Sequence, residues 1–209
     1  MTAAPTCPQC SGALRAPGLM SSDWACDQHG AVTPYHRAAM PLSTEALAQG
    51  AARSGVPLWS PLPLLPGWSV TGLGWCGDER RQASAAALAF MGPSPLGGPA
   101  DLVLVAEEPG SGLGGRIAGF EGSDPGACVD GAPDAKIIVA GHPTALWRCQ
   151  GAPDRMAFVG EALGVWLWAV LWPPAAELVL LEHVELHDLR HEAHKELALP
   201  IGAATTRLP

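Results

Sequence analysis

Lysine is nearly absent from this chain of 209 residues: Lys136 and Lys195 stand against ten arginines. Charged residues make up 15% of the sequence, and the formal net charge is −8. No run of five basic residues occurs. Phosphate backbones and anionic lipid surfaces are gripped by clustered Lys and Arg, so a sequence-wide nucleic-acid footprint and a polybasic membrane anchor are both excluded. Any nucleic-acid reading would need a basic patch assembled from arginines far apart in the chain. The opening Met-Thr-Ala-Ala-Pro-Thr-Cys lacks a charged segment followed by an apolar one, so no secretory leader is expected. No apolar stretch is long enough to span a bilayer. The longest lies near Ala162 to Trp172 and stops at Pro173-Pro174; as a helix it would reach roughly 16 Å, about half a hydrocarbon core. A G-x-S-x-G elbow and a P-loop are also missing. These absences set the expectation of a soluble cytoplasmic protein with no membrane or nucleic-acid partner.

Apolar residues account for 48% of the chain, enough for one good core plus a small appendage. Gly contributes 25 residues and Pro 21, which calls for short elements and many turns. Three regions follow: 1–36, a metal-binding ribbon; 37–66, a linker helix and Pro-rich strap; and 67–209, an α+β domain.

The most informative motif is Cys7-Pro8-Gln9-Cys10, followed fifteen residues later by Cys26-Asp27-Gln28-His29. Each pair offers two ligands on one side of a tight turn. Two such turns brought together supply the tetrahedral set that Zn(II) takes. Gly12 and Gly30 follow the pairs, where a turn with positive φ suits glycine. With Cys7, Cys10, Cys26 and His29 all in place, no position is left open for water, so the zinc is expected to be structural. Between Met1 and His36 the only Arg or Lys is Arg15, against Asp23 and Asp27. A ribbon with that charge is expected to contact another protein rather than nucleic acid. All six cysteines are read as reduced or metal-bound.

Ser43 to Ser54 reads as a helix capped by Ser43, with Glu45 in its first turn and Gly55 at its end. Val56 to Pro66 reads as an extended strap pinned by Leu58, Trp59 and Leu62. Strands are expected over Trp68–Trp75, Gln82–Met91, Asp101–Glu107, Lys136–Ala140 and Thr144–Cys149. One dominant apolar helix is expected from Asp154 or Gly160 to Trp172, then a last strand over Glu177–His183. The expected class is α+β, a mostly antiparallel sheet packed on that helix.

Two weaker patterns remain. Gly110-Ser111-Gly112-Leu113-Gly114-Gly115 fits G-x-G-x-x-G, but the glycine-broken stretch from Arg116 to Gly126 offers no helix for a dinucleotide fingerprint. The loop can still serve as a small-anion site, for phosphate or acyl phosphate, through Gly110, Gly112, Gly115 and Arg116. The tail holds His183, Glu185, His187, Asp188, His191, Glu192 and His194, which read either as a second metal site or as a solvated edge.

Several stretches together carry a resemblance. They are Cys-Pro-Gln-Cys at the start, Arg-Ala-Pro-Gly-Leu and Ser-Ser-Asp-Trp within 15–24, Pro-Leu-Gly-Gly at 95–98, and Leu-Val-Ala-Glu-Glu-Pro-Gly at 104–110. Gly-Glu-Ala-Leu-Gly and Trp-Leu-Trp-Ala-Val-Leu-Trp-Pro within 160–173 complete the set. Over nearly its whole length the chain resembles an uncharacterised actinobacterial family with an N-terminal zinc ribbon. The resemblance implies the ribbon and no assigned activity. Some members of that family carry a phosphotransacetylase label.

Overall fold

The computed structural model describes residues 4–19, 21–78, 80–122, 124–181, 184–192 and 198–209. Its elements in chain order are β1 (Ala25–Cys26), β2 (Gly30–Ala31), β3 (Tyr35–Arg37), α1 (Thr44–Arg53), β4 (Trp59–Pro61), β5 (Ser69–Cys76), β6 (Ala85–Pro93), β7 (Pro99–Glu107), α2 (Leu113–Ala118), β8 (Ala135–Val139), β9 (His142–Cys149), β10 (Met156–Ala162), β11 (Val165–Trp172) and β12 (Glu185–Asp188). Single 3-10 segments lie at Pro125–Ala127 and Pro174–Leu181. The protein is mixed α+β and mostly sheet. Strands β1 and β2 form a small hairpin, and ten strands form one sheet in the order β3-β5-β6-β7-β11-β10-β9-β8-β12-β4. Every neighbouring pair is antiparallel except β8 with β12.

The sheet curls. Strand β4, at one end of the order, comes back against β6 and β7. Inside the curl lie Leu88, Phe90, Leu102, Leu104, Leu167 and Leu171. Their neighbours along the same strands, among them Ala87, Ala89, Val103, Val105, Trp168 and Val170, pack on the other face beneath α2. Successive residues of a strand point to opposite faces, so both faces of the central strands are apolar and buried. Each fully buried Leu, Val or Phe contributes roughly 1.5–3 kcal/mol relative to exposure.

That double burial corrects the expected helix at 154–172. The segment is instead the hairpin β10–β11, with Ala162 opposite Val165 and Leu163-Gly164 at the turn. Both turn residues have positive φ, 55° and 80°, which matches the right-handed twist of the flanking strands. A strand buried on both faces carries a continuous apolar run, which periodicity alone does not separate from a buried helix. There is no dominant helix among the described residues; α1 has 10 residues and α2 has 6. The expected strand at 177–183 is also corrected: Pro174–Leu181 is 3-10, and the last strand is β12. Proline fixes φ near the helical value and starts such a turn readily, and Ala176 N–H donates to Pro173 O at 2.8 Å. Residue His183 lies outside the described residues.

Other expectations are found in place. Ser43 caps α1, accepting from Ala46 N at 3.1 Å. The helix ends one residue earlier than expected, at Ser54, whose N–H donates to Ala51 O at 3.3 Å; Gly55 instead permits close approach, since a Cβ there would stand 2.9 Å from Ala83 O. The strap carries β4, paired with β12 and buried through Leu58 and Trp59. The buried Asp188 carboxylate accepts from Leu58 N at 3.0 Å and pairs with Arg190 at 2.7 Å, tying the tail to the strap. Strands β5 to β9 overlap the five segments expected as strands, with β6 starting at Ala85 rather than Gln82.

Cys128 and Cys149 form a disulfide with Cα atoms 5.3 Å apart, which corrects the reading of all six cysteines as reduced or metal-bound. Their separation of 21 in sequence carries no local signal of pairing. Their proximity is created when the 120–134 connection folds over β9.

Candidate metal centre and the adjoining cleft

The first turn of the centre runs from Cys7 to Gly12. Cys7 N–H donates to Gly12 O at 2.9 Å, and Ser11 N–H donates to Cys7 O at 2.8 Å. The positive φ falls on Ser11 (58°), one residue before the expected glycine. Gly12 has a different use. Its N–H points at Cys10 Sγ from 3.4 Å, and a Cβ would stand only 3.2 Å from that sulfur. The second turn links β1 to β2, with Gly30 at φ 69°.

These turns bring all four ligand atoms within 4.8 Å of one another. Cys7 Sγ and Cys26 Sγ each lie 3.5 Å from His29 Nδ1, and Cys10 Sγ lies 3.7 Å from Cys26 Sγ. A tetrahedral zinc with bonds of about 2.3 Å to sulfur and about 2.0 Å to nitrogen separates its ligands by about 3.8 Å for S···S and about 3.5 Å for S···N. The cluster can therefore hold a metal ion. Cys7 and Cys26 are buried, while Cys10 and His29 sit toward solvent. An N–H from Gln28 draws the Cys26 thiol down to about 6 against its burial. Burial pushes the Cys7 thiol up to about 11. Among the described residues, this is the only such cluster of metal-ligating side chains.

The ribbon is joined to the large sheet. Thr6 and Tyr35 exchange both backbone hydrogen bonds, at 3.0 and 2.8 Å, and β3 pairs with β5. Gln9 Nε2 donates to Gly110 O at 3.4 Å. Half-buried Arg116 lies within electrostatic reach of Cys10 and Cys7, and its Nη1 is buried with no hydrogen-bond partner among the described residues.

The glycine-rich loop is occupied by the protein itself. Contrary to expectation, a helix does begin there: Gly112, at φ 74°, opens α2. Its free amides are already used, because Leu113 N and Gly114 N donate to Glu107 Oε2 at 2.8 and 3.2 Å. The glycines serve packing. A Cβ at Gly114 would fall inside the Trp168 indole, and one at Gly115 would stand 2.9 Å from Gly122 O. Gly110 sits in an open turn at φ 89°. Gly110, Gly112, Gly115 and Arg116 thus form a joint beneath the ribbon.

In the histidine tail, Glu185 and His187 share the outer face of β12. His187 Nδ1 lies 2.9 Å from Glu192 Oε1, and His191 Nε2 lies 3.6 Å from Asp188 Oδ2. These are contacts within the tail itself. His194, like His183, lies outside the described residues. Cys76 is fully buried, and burial pushes its thiol well above the ordinary range.

Between the ribbon and the sheet runs a cleft whose larger part has a volume of about 980 Å³. Ser22 and Trp24 of the ribbon form one wall; Arg53, His36, Trp75, Arg80 and Arg81 line the other. His36 stacks on Trp75, with centroids 5.7 Å apart and planes 17° from parallel. Asp78 Oδ1 accepts from Arg80 N and Arg81 N at 2.8 and 3.0 Å, fixing the turn that carries both arginines. Of these residues the sequence offers only the Arg80-Arg81 pair as a local signal; Arg53, His36 and Trp75 join it through tertiary structure alone.

Fold and site together define a mixed α+β protein, a curled, mostly antiparallel sheet bearing a Cys3His cluster at one edge. The chain belongs to the family of unknown function DUF6758, whose model matches residues 1–208. No curated protein and no solved structure matches it. No helix among the described residues is long and apolar enough to cross a membrane.

Proposed function

We propose that Cys7, Cys10, Cys26 and His29 hold a structural Zn(II) ion, and that the ribbon so formed acts as a protein-interaction or regulatory module. The observation that carries this reading is the set of ligand separations, 3.5, 3.5 and 3.7 Å, which match a closed tetrahedral zinc site. Four protein ligands leave no position for water or substrate, so the metal holds the ribbon in shape and does no chemistry. The hairpin that projects from the centre ends near Leu19, a fully exposed large apolar residue. An exposed leucine on a metal-braced loop is suited to contact with another protein.

Metal analysis of native protein beside Cys10→Ser tests the first part. The reading expects one zinc per chain in the native protein and its loss in the variant; equal zinc in both would contradict it. Leu19→Asp tests the second part. It should leave zinc content unchanged while abolishing co-purification of a specific partner from the native host. A partner retained by the variant would remove the ribbon tip from the contact.

A further inference from the structure

The cleft beside the ribbon is lined by three arginines and two tryptophans. Arg53, Arg80 and Arg81 converge on it in a chain of net charge −8. Among the described residues, none of the three has a carboxylate ion-pair partner, whereas Arg148, Arg155, Arg190 and Arg207 each have one. Asp78 faces the same space, its Oδ1 accepting from two backbone amides, and Asp23 and Glu108 line the smaller part of the cleft, away from Arg53. Two indoles, Trp24 and Trp75, line the cleft with the arginines, and the His36 ring, itself in the lining, stacks on Trp75.

Guanidinium groups without acid partners favour an anion with forked oxygens, such as a phosphate. Aromatic faces favour a planar ring, and stacking on such a face is tolerant of which base is presented. The volume falls within the usual range for small-ligand clefts. The sequence-derived small-anion loop at Gly110–Arg116 has its helix amides occupied by Glu107. Arg116 of that loop lies near Cys7 and Cys10, whereas Arg53, Arg80 and Arg81 line this cleft.

We infer that the cleft walled by Trp24, Trp75 and His36 and edged by Arg53, Arg80 and Arg81 binds a nucleoside phosphate, with the phosphate on the arginines and the base on the aromatic faces. The ligand is either a free nucleotide or an exposed nucleotide of a single strand. This inference goes beyond the zinc reading, and it needs the ribbon folded, since Trp24 stands on it.

The test is isothermal titration of zinc-analysed full-length protein, at low salt, with AMP, UMP, inorganic phosphate and a deoxythymidine decamer. Saturable binding of AMP or UMP that inorganic phosphate does not match supports the inference. In Arg80→Ala/Arg81→Ala the affinity should fall at least about tenfold, and in Trp24→Leu by about the same factor, as expected for losing a phosphate clamp or one stacked base. A decamer binding more tightly than the mononucleotides, with affinity falling steeply with salt, identifies the single strand as the source. Equal affinities per site identify the free nucleotide. No saturable binding of any nucleotide, or binding unchanged in the arginine variant, overturns the inference. Phosphate binding as tightly as AMP also overturns it, since ring recognition would then be absent. Zinc content measured on the same samples separates failure of the cleft from failure of the metal site.

Discussion

Trp168 Nε1 donates to Glu107 Oε1 at 2.7 Å, joining a strand at the centre of the sheet to a carboxylate that is 1% exposed. The other oxygen of Glu107 receives the first two amides of α2. Burial nevertheless dominates and raises this carboxyl to about 7. The folded protein therefore holds a proton up to about pH 7, whereas the unfolded chain releases it near 4.5. Between these limits the native state binds more protons, so this group's stabilising contribution is full below pH 4.5 and is lost as pH rises through 7. The loss is on the order of 3 kcal/mol. Denaturant melts of native protein and Glu107→Gln from pH 5 to 8 check this. The native slope should be the more negative; identical slopes would contradict the assignment.

Gly114 lies against the same indole. Gly114→Ala places a methyl where Trp168 already stands. Overpacking of this kind costs about 1–3 kcal/mol. Thermal denaturation should register the drop, and Gly18→Ala, whose Cβ meets nothing within 4 Å and whose φ lies outside the left-handed region, should lose less.

The disulfide gives a third expectation. Denatured, unreduced and metal-free protein should expose four thiols, those of Cys7, Cys10, Cys26 and Cys76, with Cys128 and Cys149 protected. Closing a loop of this length is worth on the order of 3 kcal/mol, which Cys128→Ser/Cys149→Ser should lose. Six titratable thiols in protein isolated without reductant would show that the pair is reduced in its native compartment.

Chelation should act locally. A segment of this size has too little core to stand alone, and a structural zinc supplies on the order of 10 kcal/mol. Protein stripped of metal should be cleaved within 12–31 by a nonspecific protease while the sheet from β5 onward resists. Equal protection of the ribbon with and without metal would contradict this.

Much of this architecture was legible in the sequence because its signals are local. The Cys-x-x-Cys and Cys-x-x-His turns announce themselves by spacing, and α1 by Ser43 and Glu45. Strands β5 to β9 follow from short apolar runs between turn residues. What misled was burial on both faces. In β11, Trp166, Trp168 and Trp172 share one face while Leu167, Ala169 and Leu171 share the other. The period of two is present, but with both faces apolar it does not register as alternation. Leu163-Gly164 is a weaker turn signal than Asn-Gly. Cleft and disulfide were illegible for a different reason. Arg53 with Arg81, and Cys128 with Cys149, are neighbours only once the chain has folded.

The central claim is that the Cys3His cluster is a zinc centre, and zinc-edge X-ray absorption on the native protein tests it most directly. The account expects one zinc per chain with three sulfur ligands at about 2.3 Å and one nitrogen at about 2.0 Å. Protein purified without metal, or zinc held mainly by oxygen ligands, would contradict it.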